Sequence, residues 1–126
     1  MDINELVYSD TAEMVVTDHE GNPMLDGKKK QMKISFYSDD TDERLRAYAG
    51  YRKALIEAGK DHELQLDAEC KLLSDITERF ENVIYEGKPA TLKDAKSIYR
   101  KIHKLRQDAL IFVGNNVNFI KGHLKN

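Results

Sequence analysis

Apolar and polar positions repeat with two different periods along this chain, and the change of period divides it. Met32-Lys-Ile-Ser-Phe-Tyr37 has period two, with Met32, Ile34 and Phe36 facing one way and Lys33 and Ser35 the other. Upstream, Ala12 to Thr17 is a second β-prone run centred on Met14, Val15 and Val16. The intervening Asp18-His-Glu-Gly-Asn-Pro23 is a dense turn signal. The two runs predict an N-terminal β-hairpin over about 12–37, extended by Met24-Leu25 ahead of Asp26-Gly27. Residues 1–11 are polar and read as a flexible arm, in which Leu6, Val7 and Tyr8 could add a short strand. A lone hairpin is marginal in water, so its apolar face calls for a helical cover.

From Asp40 the period becomes helical. Asp40 as N-cap with Glu43 three residues on has capping-box spacing, and the clustered acids suit the positive end of a helix. A helix over about 41–58 places Leu45, Tyr48, Ala49, Leu55 and Ile56 on one side and stops at Gly59. Asp61 restarts a helix over about 62–84, the longest element, striped by Leu66, Cys70, Leu73, Ile76, Phe80 and Val83 or Ile84. Glu86-Gly87 then separates two very short strands, with Pro89 confining the second to an edge. Thr91 and Asp94 form a capping box for a helix over about 92–106 carrying Ala95, Ile98, Tyr99, Ile102 and Leu105. The pattern runs on through Ala109, Leu110, Val113, Val117, Ile120 and Leu124, giving a last helix over about 107–122 that Gly114 and Asn115-Asn116 weaken. The expected architecture is α+β and mostly α: one domain over 1–126, with the hairpin packed on a helical part at 41–124. No internal repeat is evident.

Composition changes this picture little. The 126 residues suffice for one modest core, and a net charge of −2 argues against indiscriminate binding to polyanions. The charge is uneven: residues 1–63 hold nine Lys/Arg against 14 Asp/Glu, and residues 64–126 hold 11 against eight. One cysteine, Cys70, excludes an internal disulfide and reads as a core thiol. No apolar run reaches the ~18 residues of a membrane span. An acidic N-terminus, unlike a signal peptide, predicts a soluble cytoplasmic protein.

Candidate chemistry is sparse. Asp39, Asp40, Asp42 and Glu43 lack the alternation, central Gly and terminal Glu of a calcium loop and read as a helix cap. The four histidines are scattered without ligand spacing, and there is no phosphate loop, nucleophile motif or zinc-protease motif. The expectation is therefore a non-enzymatic protein with no cofactor and no metal. A basic stripe of Lys93, Lys96, Arg100, Lys101 and Lys104, with Arg106 beyond, could meet phosphates, although a solvated or acid-paired face is the commoner use of such a stripe. The apolar surplus is more suggestive. Leu110, Ile111, Phe112 and Val113 are consecutive, so one of them must leave a buried helix face. With Val117, Phe119 and Ile120, and with Tyr48 and Tyr51 upstream, they are the candidate partner-binding residues.

The order of these pieces resembles the small tail assembly chaperones of long-tailed bacteriophages and prophages. The resemblance lies in the strand and turn Val16-Thr-Asp-His-Glu-Gly-Asn-Pro-Met-Leu25 and in the second strand and acidic cap from Met32 to Asp40. It continues in the Arg-rich helix from Arg44 to Arg52, in Tyr85-Glu-Gly-Lys-Pro89 with Thr91, Ala95 and Tyr99, and in the closing Asn118-Phe-Ile120. Lys28-Lys-Lys30 is more basic than the pattern, and the stretch between Ile102 and Val117 has no counterpart in it. The resemblance implies a protein of the bacterial host cytoplasm that binds the helical tape measure protein and keeps it soluble until tail tube protein polymerises around it. It also implies self-association into a homo-oligomer, possible contact with tube subunits, absence from the finished virion and a longer frameshifted form. Two other functions fit the same residues: a structural tail-completion or connector subunit, and a nucleic-acid-binding accessory protein using the 93–106 stripe.

Overall fold

Strand β1 (Thr11–Val15) pairs antiparallel with β2 (Lys33–Tyr37), Glu13 opposite Ser35, in a computed structural model that describes residues 2–120. Ala12, Met14, Ile34 and Phe36 are buried on one face, as the period-two pattern requires. The other face carries cross-strand ion pairs, Lys33 with Glu13 at 3.6 Å and with Glu81 at 3.9 Å. The fold is α+β with an N-terminal hairpin and, among the described residues, four α-helices.

The connection between β1 and β2 holds a repeat that the residues alone do not show. Val16, Met24 and Met32, eight residues apart, close a triangle of backbone bonds. Val16 N–H donates to Met32 O, Met24 N–H to Val16 O and Met32 N–H to Met24 O, each at 2.9 Å. Within the first arm, Asp18 Oδ1 accepts from the Glu20 and Asn22 amides; eight residues on, Asp26 Oδ1 accepts from those of Lys28 and Lys30. Each arm also needs one left-handed residue, Gly21 at φ 85° and Lys29 at φ 63°. Only the Asp and the apolar corner recur, too little for a repeat to be read from sequence.

The long helix ends early. Helix α2 (His62–Ile76) stops at Thr77, and Thr77–Glu81 becomes strand β3, antiparallel to β2 with Phe80 opposite Ile34. The expected continuation to 84, with Phe80 in mid-helix, is thus corrected. Ile76 and Phe80 are four apart, a spacing that keeps one face in a helix and in a strand alike, so periodicity could not separate them. The strand wins because β2 needs a second partner. Thr77 Oγ1 marks the switch: it donates to Leu73 O at 2.7 Å and lies 2.7 Å from the buried Tyr99 hydroxyl, which must then be the donor to it. Burial pushes the Tyr99 phenol far above its ordinary pKa, so it remains a neutral donor.

Helix α1 (Asp42–Ala58) is capped by Thr41, whose Oγ1 accepts from the Arg44 amide at 3.3 Å; the expected Asp40 cap is not used. The inward face of the helix is rotated from the expected one: Tyr48 and Leu55 of that side are half-buried, but Leu45, Ala49 and Ile56 are exposed. Arg44, Ala47 and Ala58 are buried, whereas Leu45 is 60% and Ile56 82% exposed. Small alanines let α1 lie close along α2, and Arg44 draws this face inward. Its guanidinium donates to Tyr37 O at 3.1 Å and to Val113 O at 2.7 Å, and stacks near Tyr48 and Phe119. Asp39 Oδ1 lies 2.9 Å from Nε, but the N–H is not directed at it, so this contact is an ion pair without a hydrogen bond.

Beyond the β4–β5 hairpin (Ile84–Tyr85 and Lys88–Pro89), Thr91 N–H donates to Asp94 Oδ2 at 2.9 Å in the expected capping box. The following helix divides at Ile102 rather than near 106. Helix α3 spans Ala95–Lys101 and α4 His103–Gly114, and Ile102 itself is extended. Arg106 fills the break, donating to Tyr99 O at 2.8 Å and Arg100 O at 3.3 Å, the free carbonyls at the end of α3. Helix α4 ends at Gly114, and Asn116–Phe119 is a 3-10 turn, so the expected helix to 122 does not form over the described part. Residues 121–124, including Leu124, lie outside the described residues. In the arm, Ile3–Leu6 forms a 3-10 turn, and Ser9 N–H donates to Phe119 O at 2.7 Å.

Candidate partner-binding site

The backbone triangle aims its three corner side chains at one place. Val16, Met24 and Met32 form one wall of an apolar cavity of about 300 Å³. Val83, Ile84 and Tyr85, leading into and along β4, make the second wall; Ile98, Ile102 and Leu105 at the α3–α4 break make the third. Met24, Ile84 and Ile102 are the exposed apolar members of the lining, so apolar surface continues outward over the rim. The break at Ile102 matters here: a continuous helix would not place an extended Ile at this mouth.

One side of the rim is polar and held. Lys104 Nζ donates to Thr17 Oγ1 at 3.0 Å and pairs with Asp108, joining α4 to the strand end. The Asn22 amide first, and the Glu20 amide after it, hold the Asp18 carboxylate below its ordinary pKa, so it stays charged beside His19 at the mouth. Methionine is unbranched and polarisable, which lets a wall carrying two of them fit varied apolar side chains.

A second, shallower cavity of about 290 Å³ lies across Thr17 from the first, lined by Met14, Val15, Asp108, Ile111, Phe112, Asn115 and Asn118. Thr17 lines both.

The structure divides the C-terminal apolar run. Val113 and Phe119 are core. Leu110 and Phe112 are half-buried and packed against it, with Phe112 5.9 Å from the Phe36 ring and 5.8 Å from Phe119. Tyr48 and Tyr51 also pack against the core from α1, and Ile120 is half-buried at its bridge to Tyr8. Ile111, at 73% exposure, and Val117 are left free at the surface. Met24, Met32, Ile84 and Ile102 were not among the sequence candidates. The Asp at 18 and 26 and the apolar residues at 16, 24 and 32 are the sequence's trace of the triangle, too sparse to lead to Met24 and Met32, and nothing local points to Ile84 or Ile102.

Four of the five cations of the basic stripe are paired with acids within the chain. Lys96 pairs with Asp67 at 3.0 Å, Arg100 with Glu63, Lys101 with Glu86 at 2.7 Å and Lys104 with Asp108. Arg106 lies 3.8 Å from Glu69, and its guanidinium is 2.7 Å from His103 Nδ1. Lys93 is exposed and makes no ion pair among the described residues.

Among the described residues no cluster of His, Cys, Asp and Glu could hold a metal ion, and no helix is long and apolar enough to cross a membrane. The Cys70 thiol is fully buried, and burial raises its pKa, so it stays protonated and unreactive. No family model, curated protein or solved structure matches the chain.

Proposed function

We propose that this protein is a tail assembly chaperone of a long-tailed phage or prophage, a non-enzymatic protein that holds the tape measure protein soluble in the host cytoplasm during tail morphogenesis. The observation that carries the reading is the methionine-walled cavity with its exposed apolar rim, added to the sequence resemblance. A volume of about 300 Å³ is at the small end for ligand pockets and suits one or two large side chains of a helix better than a cofactor. An apolar helix laid across the rim would cover Met24, Ile84 and Ile102 and insert one residue between Met24 and Leu105. Ile111 lies further along α4 for a later turn of the same helix.

Such a grip suits a chaperone. Burial contributes roughly 25 cal/mol per Å² of apolar surface, so a contact of this size holds reversibly and can yield to a polymerising tube. Acid pairing of the α3–α4 cations favours this reading over nucleic-acid binding.

Co-expression with the long helical protein encoded downstream tests it. The expected result is tape measure protein that stays soluble only with this chain, and loses solubility when Met24 and Ile102 are both changed to Asp. Equal solubility with and without the chain would overturn the proposal.

A further inference from the structure

The two arms that close the backbone triangle are built alike and carry different side chains. Each needs a left-handed residue at the third position after its Asp: Gly21 after Asp18, and Lys29 after Asp26. Glycine takes that conformation freely and lysine does not. Around these residues the first arm reads Asp18-His-Glu-Gly-Asn22 and the second Asp26-Gly-Lys-Lys-Lys30. The hydrogen bonds that shape the second arm use the backbone amides of its lysines, so the fold asks for no lysine side chain there. Three adjacent cations repel one another, and Lys28, Lys29 and Lys30 are all exposed without an ion pair among the described residues. The Asp26 carboxylate lies near them, but its Oδ1 is already engaged by the Lys28 and Lys30 amides.

These lysines border a cavity. Between the second arm and the β4–β5 hairpin lies a space of about 430 Å³, within the range of ligand sites. Lys28 and Lys30 line one side of it, and Phe80 at the end of β3, Val83, Pro89 and Ala90 give the other an apolar floor. Asn82 braces the two sides: itself left-handed at φ 59°, it donates from Nδ2 to Gln31 O at 3.1 Å. Lys88, beside Pro89, is a further exposed cation without an ion pair among the described residues. Val83 and Ile84 line the methionine-walled cavity as well, so the two cavities share that wall.

From this arrangement we infer a second docking site, which takes an acidic peptide segment of another protein. Its carboxylates meet Lys28, Lys30 and Lys88, and one apolar side chain rests on the floor. Charge complementarity selects this occupant: four lysines at or beside the cavity face a single carboxylate that the loop amides already hold. A nucleic acid would need a longer cationic track, and Lys96, Arg100 and Lys101 are already paired with Asp67, Glu63 and Glu86. The apolar floor also offers nothing to a phosphate backbone. Neither Met24 nor Ile102 lines this cavity, so the site goes beyond tape measure binding and either proposal can fail alone.

Fluorescence anisotropy of the full chain with a labelled synthetic peptide, Glu-Asp-Glu-Leu-Phe-Asp-Glu-Asp, tests the site. The expected result is saturable binding that tightens as salt falls. K28E/K30E should weaken it roughly tenfold or more, because two attractions become repulsions. K53E/K60E, on and just past α1, makes the same change in net charge and should leave the affinity as it was. A peptide with Gly-Ser in place of Leu-Phe should bind roughly tenfold more weakly, because the floor loses its apolar occupant. Unchanged far-ultraviolet circular dichroism shows that the variants fold; if the reversal misfolds, K28S/K30S makes the same comparison with a smaller loss. Several outcomes would overturn the proposal: no binding at low salt, or lysine variants as tight as the parent chain. So would equal losses in K53E/K60E, or a Gly-Ser peptide bound as tightly as the first. A tighter hold on single-stranded DNA of matched length, or self-association that K28E/K30E abolishes, would assign the lysines to a different occupant and overturn it too.

Discussion

Two helical surfaces carry cations that look alike in sequence and differ in the folded molecule. On α3 and α4, Lys96, Arg100 and Lys101 reach acids from elsewhere in the chain: Asp67 and Glu63 on α2, and Glu86 in the β4–β5 turn. On α1, Arg46 and Lys53 are exposed and make no ion pair among the described residues, while Arg44, two positions from Arg46, is buried at 3% exposure. The lesson concerns neighbours. A charge stripe becomes a binding surface only where packing leaves it unmatched, and α2 matches one stripe while α1 turns the other to solvent.

The same contrast ranks the effects of substitution. The largest separates buried from exposed isoleucine: Ile98→Ala should cost about 2–5 kcal/mol in urea denaturation, and Ile56→Ala should stay within roughly 0.5 kcal/mol. Equal losses would mean that α1 packs with its other face inward. Next comes arginine. Arg44→Met would orphan the carbonyls of Tyr37 and Val113 and should cost about 2–4 kcal/mol, whereas Arg46→Met should barely change the unfolding midpoint of the monomer. Lys96→Ala should lose no more than about 1 kcal/mol, since its partner Asp67 is half-exposed. Because four of the five stripe cations are already paired, the intact protein should not retard DNA in a gel at physiological salt; a salt-steep shift would reverse the ranking of the two surfaces.

The smallest effect belongs to the loops. The Lys30 amide first, then that of Lys28, holds the Asp26 carboxylate below its ordinary pKa, and Asn22 and Glu20 do the same for Asp18. A carboxylate depressed by folding adds stability above its unfolded pKa and loses it as pH falls through the folded value. The Asn22 and Lys30 amide resonances should therefore shift together in acid, with midpoints below the ordinary 3.8. Midpoints at or above that value would show that the two amide cages are open in solution.

Much of the fold was legible. The period-two run at 32–37, the turn signals at 18–23 and 86–87, Gly59 and the Thr91–Asp94 box each act within a few residues, and each stands where the pattern put it. Less of the candidate site was legible. Its three walls come from residues 16–32, 83–85 and 98–105, which no local period connects. The C-terminal apolar run misled in part: Val113 and Phe119 look as available as Ile111 and Val117 until the sheet and Arg44 close over them.

By itself the sequence determined the α+β class, the hairpin at the front, the start of α2 at Asp61 and the Thr91–Asp94 box ahead of α3, because turns, caps and alternation are settled among near neighbours. Tertiary structure decided which face of α1 is inside, where α2 yields to β3, and whether a basic stripe is free. Each of those outcomes turns on a partner tens of residues away. Thr77 on Tyr99, Arg44 on Val113 and Lys96 on Asp67 are contacts whose free energy exists only once distant segments meet.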